Sequence, residues 1–114
     1  MTEGQNNPPD ILEIYIRDGL QTQCLLRGIT FAPIRGKKPV SRGELTQAME
    51  DTLGEIARAV VSGIREGLGR EQIVNNLGKE FGRDVDIPET AFRAIRGIVD
   101  ELLVARETAE KRRT

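Results

Sequence analysis

The sequence predicts an α+β fold, in which an N-terminal antiparallel β-hairpin packs against three α-helices. Apolar and polar residues alternate over residues 12–17, as expected for a strand with one buried face. Farther along the chain, apolar residues recur every three or four positions, as expected for amphipathic helices. Since a lone hairpin is marginal in water, its apolar face is expected to rest on the helices or on another subunit.

The predicted hairpin turns at residues 17–19, which read Arg-Asp-Gly. A three-residue loop pairs Ile16 with Leu20 and keeps one face of the ladder apolar, whereas a two-residue loop would place apolar residues opposite polar ones. Gly19 supplies the left-handed conformation that such a loop requires. Beyond the hairpin, we expect a bulge at Gly28 and an extension or third short strand over residues 29–33.

The first predicted helix covers residues 42–67. Ser41 and Glu44 have the spacing of a capping box, a hydroxyl followed three residues later by a carboxylate. Gly67 is expected to end the helix.

The second and third helices are predicted at residues 70–81 and from about residue 86 onward. Asp86 and Pro88 have the positions of a cap and a first-turn proline. Beyond Leu103 the sequence is polar nearly all round, so the last helix is expected to extend past the core.

The length of 114 residues fits one domain, which we assign to residues 10–114 after a polar, disordered tail at residues 1–9. The net charge is −1, there is one cysteine, and there is no histidine. These totals favour neither an enzyme nor a metal or cofactor site, because the commonest base and metal ligand is missing. No segment resembles a membrane span or a signal peptide, and we expect a cytoplasmic protein.

A group of basic residues between the predicted strands and the first helix is the first candidate binding site. Its members are Arg35, Lys37, Lys38 and Arg42, with no acid among them. Such a loop could hold phosphate groups in a salt-dependent manner. The alternative is a solvated connection whose charges protect a sheet edge.

Residues 70–96 form a second candidate, a segment that resembles a helix-turn-helix. Thr90, Arg93 and Arg96 lie near the start of the third predicted helix, where such side chains can reach base edges in the major groove. The connection is longer than the usual turn, and nearby acids would repel phosphate: Asp84, Asp86 and Glu89. The alternative is two packed helices joined by a loop.

The first predicted helix carries two further patterns. Ala59, Gly63 and Gly67 form a stripe of small residues, for which tight internal packing is the expected reason. The exposed side is mainly acidic, with two arginines, and consists of Glu44, Glu50, Asp51, Glu55, Glu66, Arg58 and Arg65. Cys24 falls on the buried side of the predicted hairpin, where a thiol is inert.

The sequence therefore favours a small non-enzymatic adaptor, regulator or inhibitor that binds proteins through a charge-divided surface. The alternative is a DNA-binding regulator that uses the third helix, with the basic loop as a phosphate clamp. A protein partner, nucleic acid and a homodimer are all compatible with these features.

Overall fold

The computed structural model describes residues 10–31, 41–81 and 87–113, and within these ranges it consists of helices without strands. The helices are α1 (Ile11–Leu26), α2 (Arg42–Arg65), α3 (Arg70–Phe81) and α4 (Glu89–Arg113). Each helix packs against the next one along the chain, and α4 also packs against α1. The four helices thus enclose a common core.

The predicted α+β fold is wrong, because the segment assigned to the β-hairpin forms helix α1. This helix buries Ile16, Leu20 and Cys24, which lie four residues apart and therefore share one side. The predicted turn at residues 17–19 lies in the middle of the helix. A helix satisfies its backbone hydrogen bonds within the segment and buries a continuous apolar stripe, whereas a hairpin would leave its outer edges unpaired.

Asp10 explains why α1 begins where it does. Its Oδ1 atom accepts hydrogen bonds from the backbone amides of Leu12 at 3.1 Å and Glu13 at 3.2 Å. Its Oδ2 atom lies 2.7 Å from a guanidinium nitrogen of Arg65, at the end of α2. The residue that caps α1 therefore also joins α1 to α2.

Gly28 ends α1 instead of forming the predicted β-bulge. Its φ angle of 67° is left-handed, a conformation that costs glycine little. The amide of Gly28 donates a hydrogen bond of 3.2 Å to the carbonyl of Leu25, and the amide of Ile29 donates one of 2.9 Å to the carbonyl of Cys24. This is a Schellman motif. Residues 29–31 form no strand, and the rest of the predicted extension lies outside the described residues.

The helical predictions for the rest of the chain are confirmed. Ser41 caps α2, because its Oγ atom accepts a hydrogen bond of 3.1 Å from the Glu44 amide. Gly67, with φ of 80°, follows the last turn of α2 as a second Schellman glycine. Helix α3 has the predicted bounds, 70–81.

Helix α4 extends past the core as predicted. It begins directly after Pro88, whereas Asp86, the predicted cap, lies outside the described residues. From Val104 to Arg112 the side chains are exposed, except for the half-buried Arg106.

The core contains side chains from all four helices and from the segments beside them. Its fully buried large members are Ile16, Leu20, Leu53, Ile56, Val60, Leu77, Ile87, Ile95, Ile98 and Val99.

Candidate functional site

A groove with a volume of about 610 Å³ lies between α2 and α3. Helix α2 contributes Ala59 and Gly63 to its lining, and α3 contributes Ile73, Leu77 and Phe81. These apolar residues belong to the core or pack against it. The groove is therefore built on well-packed parts of both helices, and we call it the α2–α3 groove.

Gly63 determines how closely α2 and α3 approach at one end of this groove. A β-carbon built on Gly63 would lie 2.8 Å from Cγ1 of Ile73, closer than two carbon atoms can pack. The stripe of small residues thus includes a tight internal contact, which is the expected reason for a glycine inside a helix. Ala59 is partly buried, and Gly67 belongs to the end of the helix.

The rim of the α2–α3 groove is mainly acidic. Glu55 of α2, Glu66 just after α2 and Glu80 of α3 line it, with Arg58 as the cation. Glu66 accepts a hydrogen bond of 3.0 Å from the hydroxyl of Ser62. Neither Glu55 nor Glu80 forms a hydrogen bond or ion pair with another described residue, so both carboxylates are available to a ligand.

A second, more polar groove of about 510 Å³ lies between α1 and α2. Its charged lining consists of Arg17, Asp18, Glu50, Asp51, Glu55 and Arg58. Because Glu55 and Arg58 line both grooves, the acidic surface continues across the outer side of α2. All seven charged residues predicted for this side of the helix are exposed.

The predicted basic loop is only partly within the described residues. Arg35, Lys37 and Lys38 lie outside them, whereas Arg42 is exposed at the first position of α2. Arg42 is not part of either groove.

The predicted DNA-reading residues lie in the first turns of α4. Thr90 and Arg93 are exposed. Arg93 forms an ion pair of 3.2 Å with Glu89, one turn earlier. The guanidinium carbon of Arg96 lies 5.8 Å from the centre of the Phe92 ring, so this half-buried cation is stacked on an aromatic face.

Cys24 is fully buried in the core, as predicted, although on a helix. Burial raises the pKa of its thiol, and the nearby charge of Arg27 opposes this shift in part. The neutral, unreactive form of the thiol is therefore favoured. The described residues contain no group of three or more possible metal ligands.

Sequence reasoning missed an apolar surface on α1. Six residues of this helix are exposed, and four of them are large and apolar. We call the six the outer face of α1: Ile11, Tyr15, Asp18, Thr22, Leu25 and Leu26. Assignment of the segment to a hairpin divided these residues between two strands, whereas the helical period of three and four residues would have grouped them.

No protein-family model, curated protein or solved structure matches this chain. Among its described helices, none has both the length and the apolar character needed to cross a membrane. The fold and the grooves therefore define the molecule as a small helical protein with an acidic concave surface.

Proposed function

We propose that this chain is a small non-enzymatic protein-binding module that serves as an adaptor, regulator or inhibitor. Its partner presents a basic, amphipathic segment to the α2–α3 groove. The observation that carries this proposal is the pair of carboxylates on the groove, Glu55 from α2 and Glu80 from α3, neither of which has a partner among the described residues.

The chemistry of the groove suits an amphipathic helix better than a small polar ligand. Ala59 and Leu68, both half-buried, offer apolar contact in the groove, and the rim offers carboxylates on both helices. A helix with one apolar and one basic side would match both features. The charges would steer and orient this partner.

Arg58 has a complementary role in this proposal. It lines both the α2–α3 groove and the groove between α1 and α2. A guanidinium only donates hydrogen bonds, so it would favour a partner that brings a carboxylate or carbonyl oxygen to that position. Arg58 would therefore help to determine the orientation of the bound helix in the groove.

The DNA-binding alternative has less support from the described residues. Arg93 is exposed but lies in an ion pair with the acidic Glu89, and Arg96 is half-buried and stacked on Phe92. We also propose that the protein functions in the reducing environment of the cytoplasm, which its single, buried cysteine favours. A second copy of the chain could bind at the same time as this partner, since the groove and the outer face of α1 share no residue.

The proposal can be tested by NMR titration of the isotope-labelled protein with a synthetic amphipathic helix bearing leucines on one side and lysines on the other. We expect amide shifts to concentrate at the groove, at residues such as Ser62 and Asn76. The E80K variant should weaken binding by about three- to tenfold, because a carboxylate that attracts the peptide becomes a cation.

Two controls define the result. E107K makes the same change of charge at an exposed residue of α4 that does not line the groove, and should leave the affinity nearly unchanged. A peptide with glutamates in place of lysines should not bind. Equal effects of E80K and E107K would contradict the proposed site, as would salt-sensitive binding of duplex DNA with shifts confined to the start of α4.

A further inference from the structure

The end of α4 that extends past the core has one side without acidic residues. From Val104 to Arg112 the side chains are exposed, except for the half-buried Arg106. Five of the exposed residues follow one another at steps of one, three, one and three, the spacing of a single helix face. Glu107 and Glu110 lie outside this face. We call the five the distal face of α4: Val104, Ala105, Thr108, Ala109 and Arg112.

The distal face is apolar or small along most of its length and basic at its end. Arg112 forms no hydrogen bond or ion pair with another described residue. Of the nearby acids, Glu110 is held by Arg106 in an ion pair of 2.9 Å. Most helices in proteins are stabilised by packing of one side, and no described residue covers this one.

We propose that the distal face of α4 in one copy of this chain occupies the α2–α3 groove of another copy. This inference rests on the proposed function, because it names a basic, amphipathic helix that suits the groove. The charges are complementary: Arg112 is a cation, and the groove presents Glu55 and Glu80 without partners among the described residues.

The groove and the distal face also agree in length. On the α2 side the groove extends from Glu55 to Glu66, about 17 Å at a rise of about 1.5 Å per residue. The stretch of α4 from Val104 to Arg112 is about 12 Å long by the same rise. The distal face can therefore lie within the groove, where its alanines would pack against the half-buried Ala59. Small side chains let two helices approach closely.

The helix that enters the groove comes from another copy, not from the same chain. Helix α4 is continuous from Glu89 to Arg113, packs against α1 and α3, and contributes no residue to the lining of the groove. Each copy thus offers one distal face and one groove, which share no residue. Such a head-to-tail contact lets successive copies add to one another.

The association should depend on both protein concentration and salt. In sedimentation velocity at low ionic strength, the mean sedimentation coefficient should rise with protein concentration, and added salt should reduce this rise. R112E should raise the dissociation constant about three- to tenfold, because a cation beside the acidic rim becomes an anion. R42E makes the same change at an exposed arginine outside both the groove and the distal face, and should associate like the parent chain.

Far-UV circular dichroism establishes that R112E and R42E remain folded. A chain that stays monomeric at every concentration would overturn the proposal. Equal weakening by the two variants would overturn it as well.

A mixture of two variants tests whether the distal face binds in the groove. R112E keeps the groove intact, and E80K keeps the distal face intact. When unlabelled E80K protein is added to isotope-labelled R112E protein, amide shifts in the labelled protein should concentrate at groove residues such as Ser62 and Asn76. Unlabelled R112E protein, which lacks the cation of the distal face, should cause much smaller shifts. Equal shifts from both additions, or shifts confined to α1, would contradict the proposed contact.

The synthetic peptide of leucines and lysines separates this inference from the proposed function. The peptide and the distal face compete for one groove, so excess peptide should return the associated chain to monomer. A copy bound at the outer face of α1 would instead stay bound, and association that persists with the peptide in the groove would overturn the inference. If the peptide binds the groove of a chain that never self-associates, the proposed function stands and only the self-association is wrong.

Discussion

Gly63 shows how a missing side chain determines helix packing in this protein. A glycine inside a helix normally costs about 1 kcal/mol relative to alanine. At this position the missing β-carbon gives space to Ile73, whose Cγ1 atom would otherwise be 2.8 Å away. Because Ile73 is β-branched and buried, it has little freedom to turn aside.

We therefore expect G63A to lower the free energy of unfolding by about 1–2 kcal/mol, because the overpacking cost exceeds the gain in helix propensity. Urea denaturation followed by circular dichroism measures this change. G97A is the matched control, since a β-carbon on Gly97 of α4 would meet nothing within 4 Å. That variant should be more stable by about 0.5–1 kcal/mol, and a similar gain for G63A would show that the Ile73 contact is loose.

Gly19 illustrates a residue whose role differs from the one predicted. The sequence suggested a left-handed turn position, but Gly19 lies inside α1, where a β-carbon would be 2.8 Å from Cδ2 of Leu102. Gly19 therefore lets α1 and α4 approach each other. Unlike Ile73 at Gly63, the atom in contact here is the flexible end of a half-buried leucine, which can move.

At the scale of the element, α1 depends on one residue at its start. Asp10 caps the helix with one carboxylate oxygen and pairs with Arg65 of α2 through the other. D10A removes both interactions and should lower the free energy of unfolding by about 1–2 kcal/mol. D10N can keep the cap but loses the charge, and should cost at most about 1 kcal/mol because the ion pair is partly exposed. Thermal and urea denaturation of the two variants would separate the contribution of the cap from that of the ion pair. If D10A and D10N lose the same free energy of unfolding, the ion pair, not the cap, is the important contact.

The same helix marks the limit of what the sequence could predict. Residues 12–16 fit a strand by alternation, yet Ile16, Leu20 and Cys24 fit a helix equally well. Asp10 and Glu13 have the spacing of a capping box, and Gly28 lies where a helix-ending glycine would be. These end signals favoured the helix, and the local apolar pattern alone could not decide between the two.

The three later helices were predictable because their end signals and apolar periods agree. Ser41 and Glu44 mark the start of α2, and Gly67 marks its end. The acidic side of α2 could also be predicted, because the apolar period of the helix shows which residues lie on its exposed side. The α2–α3 groove could not be predicted, because Glu55 and Glu80 are distant in sequence. They line one groove only because α2 and α3 pack together. The phosphate-binding role of the basic loop stays a prediction.

At the scale of the whole molecule, the described helices share one core instead of forming separate units. Buried residues of α1, α2, α3 and α4 belong to a single cluster. Contacts between distant parts of the chain support this arrangement, including the ion pair of 2.6 Å between Arg70 at the start of α3 and Asp100 of α4. Helix α1 is held from both sides, because it packs against α2 and α4.

We therefore expect α1 to unfold together with the other helices in one cooperative transition. Tyr15 is the only tyrosine and the chain has no tryptophan, so intrinsic fluorescence reports on α1 alone. Its hydroxyl donates to the carbonyl of Leu102 on α4 at 3.4 Å, so its signal should change when α1 leaves α4. Circular dichroism at the same urea concentrations reports on all four helices. The two curves should have the same midpoint, whereas a fluorescence change at distinctly lower urea would mean that α1 detaches while α2, α3 and α4 stay folded.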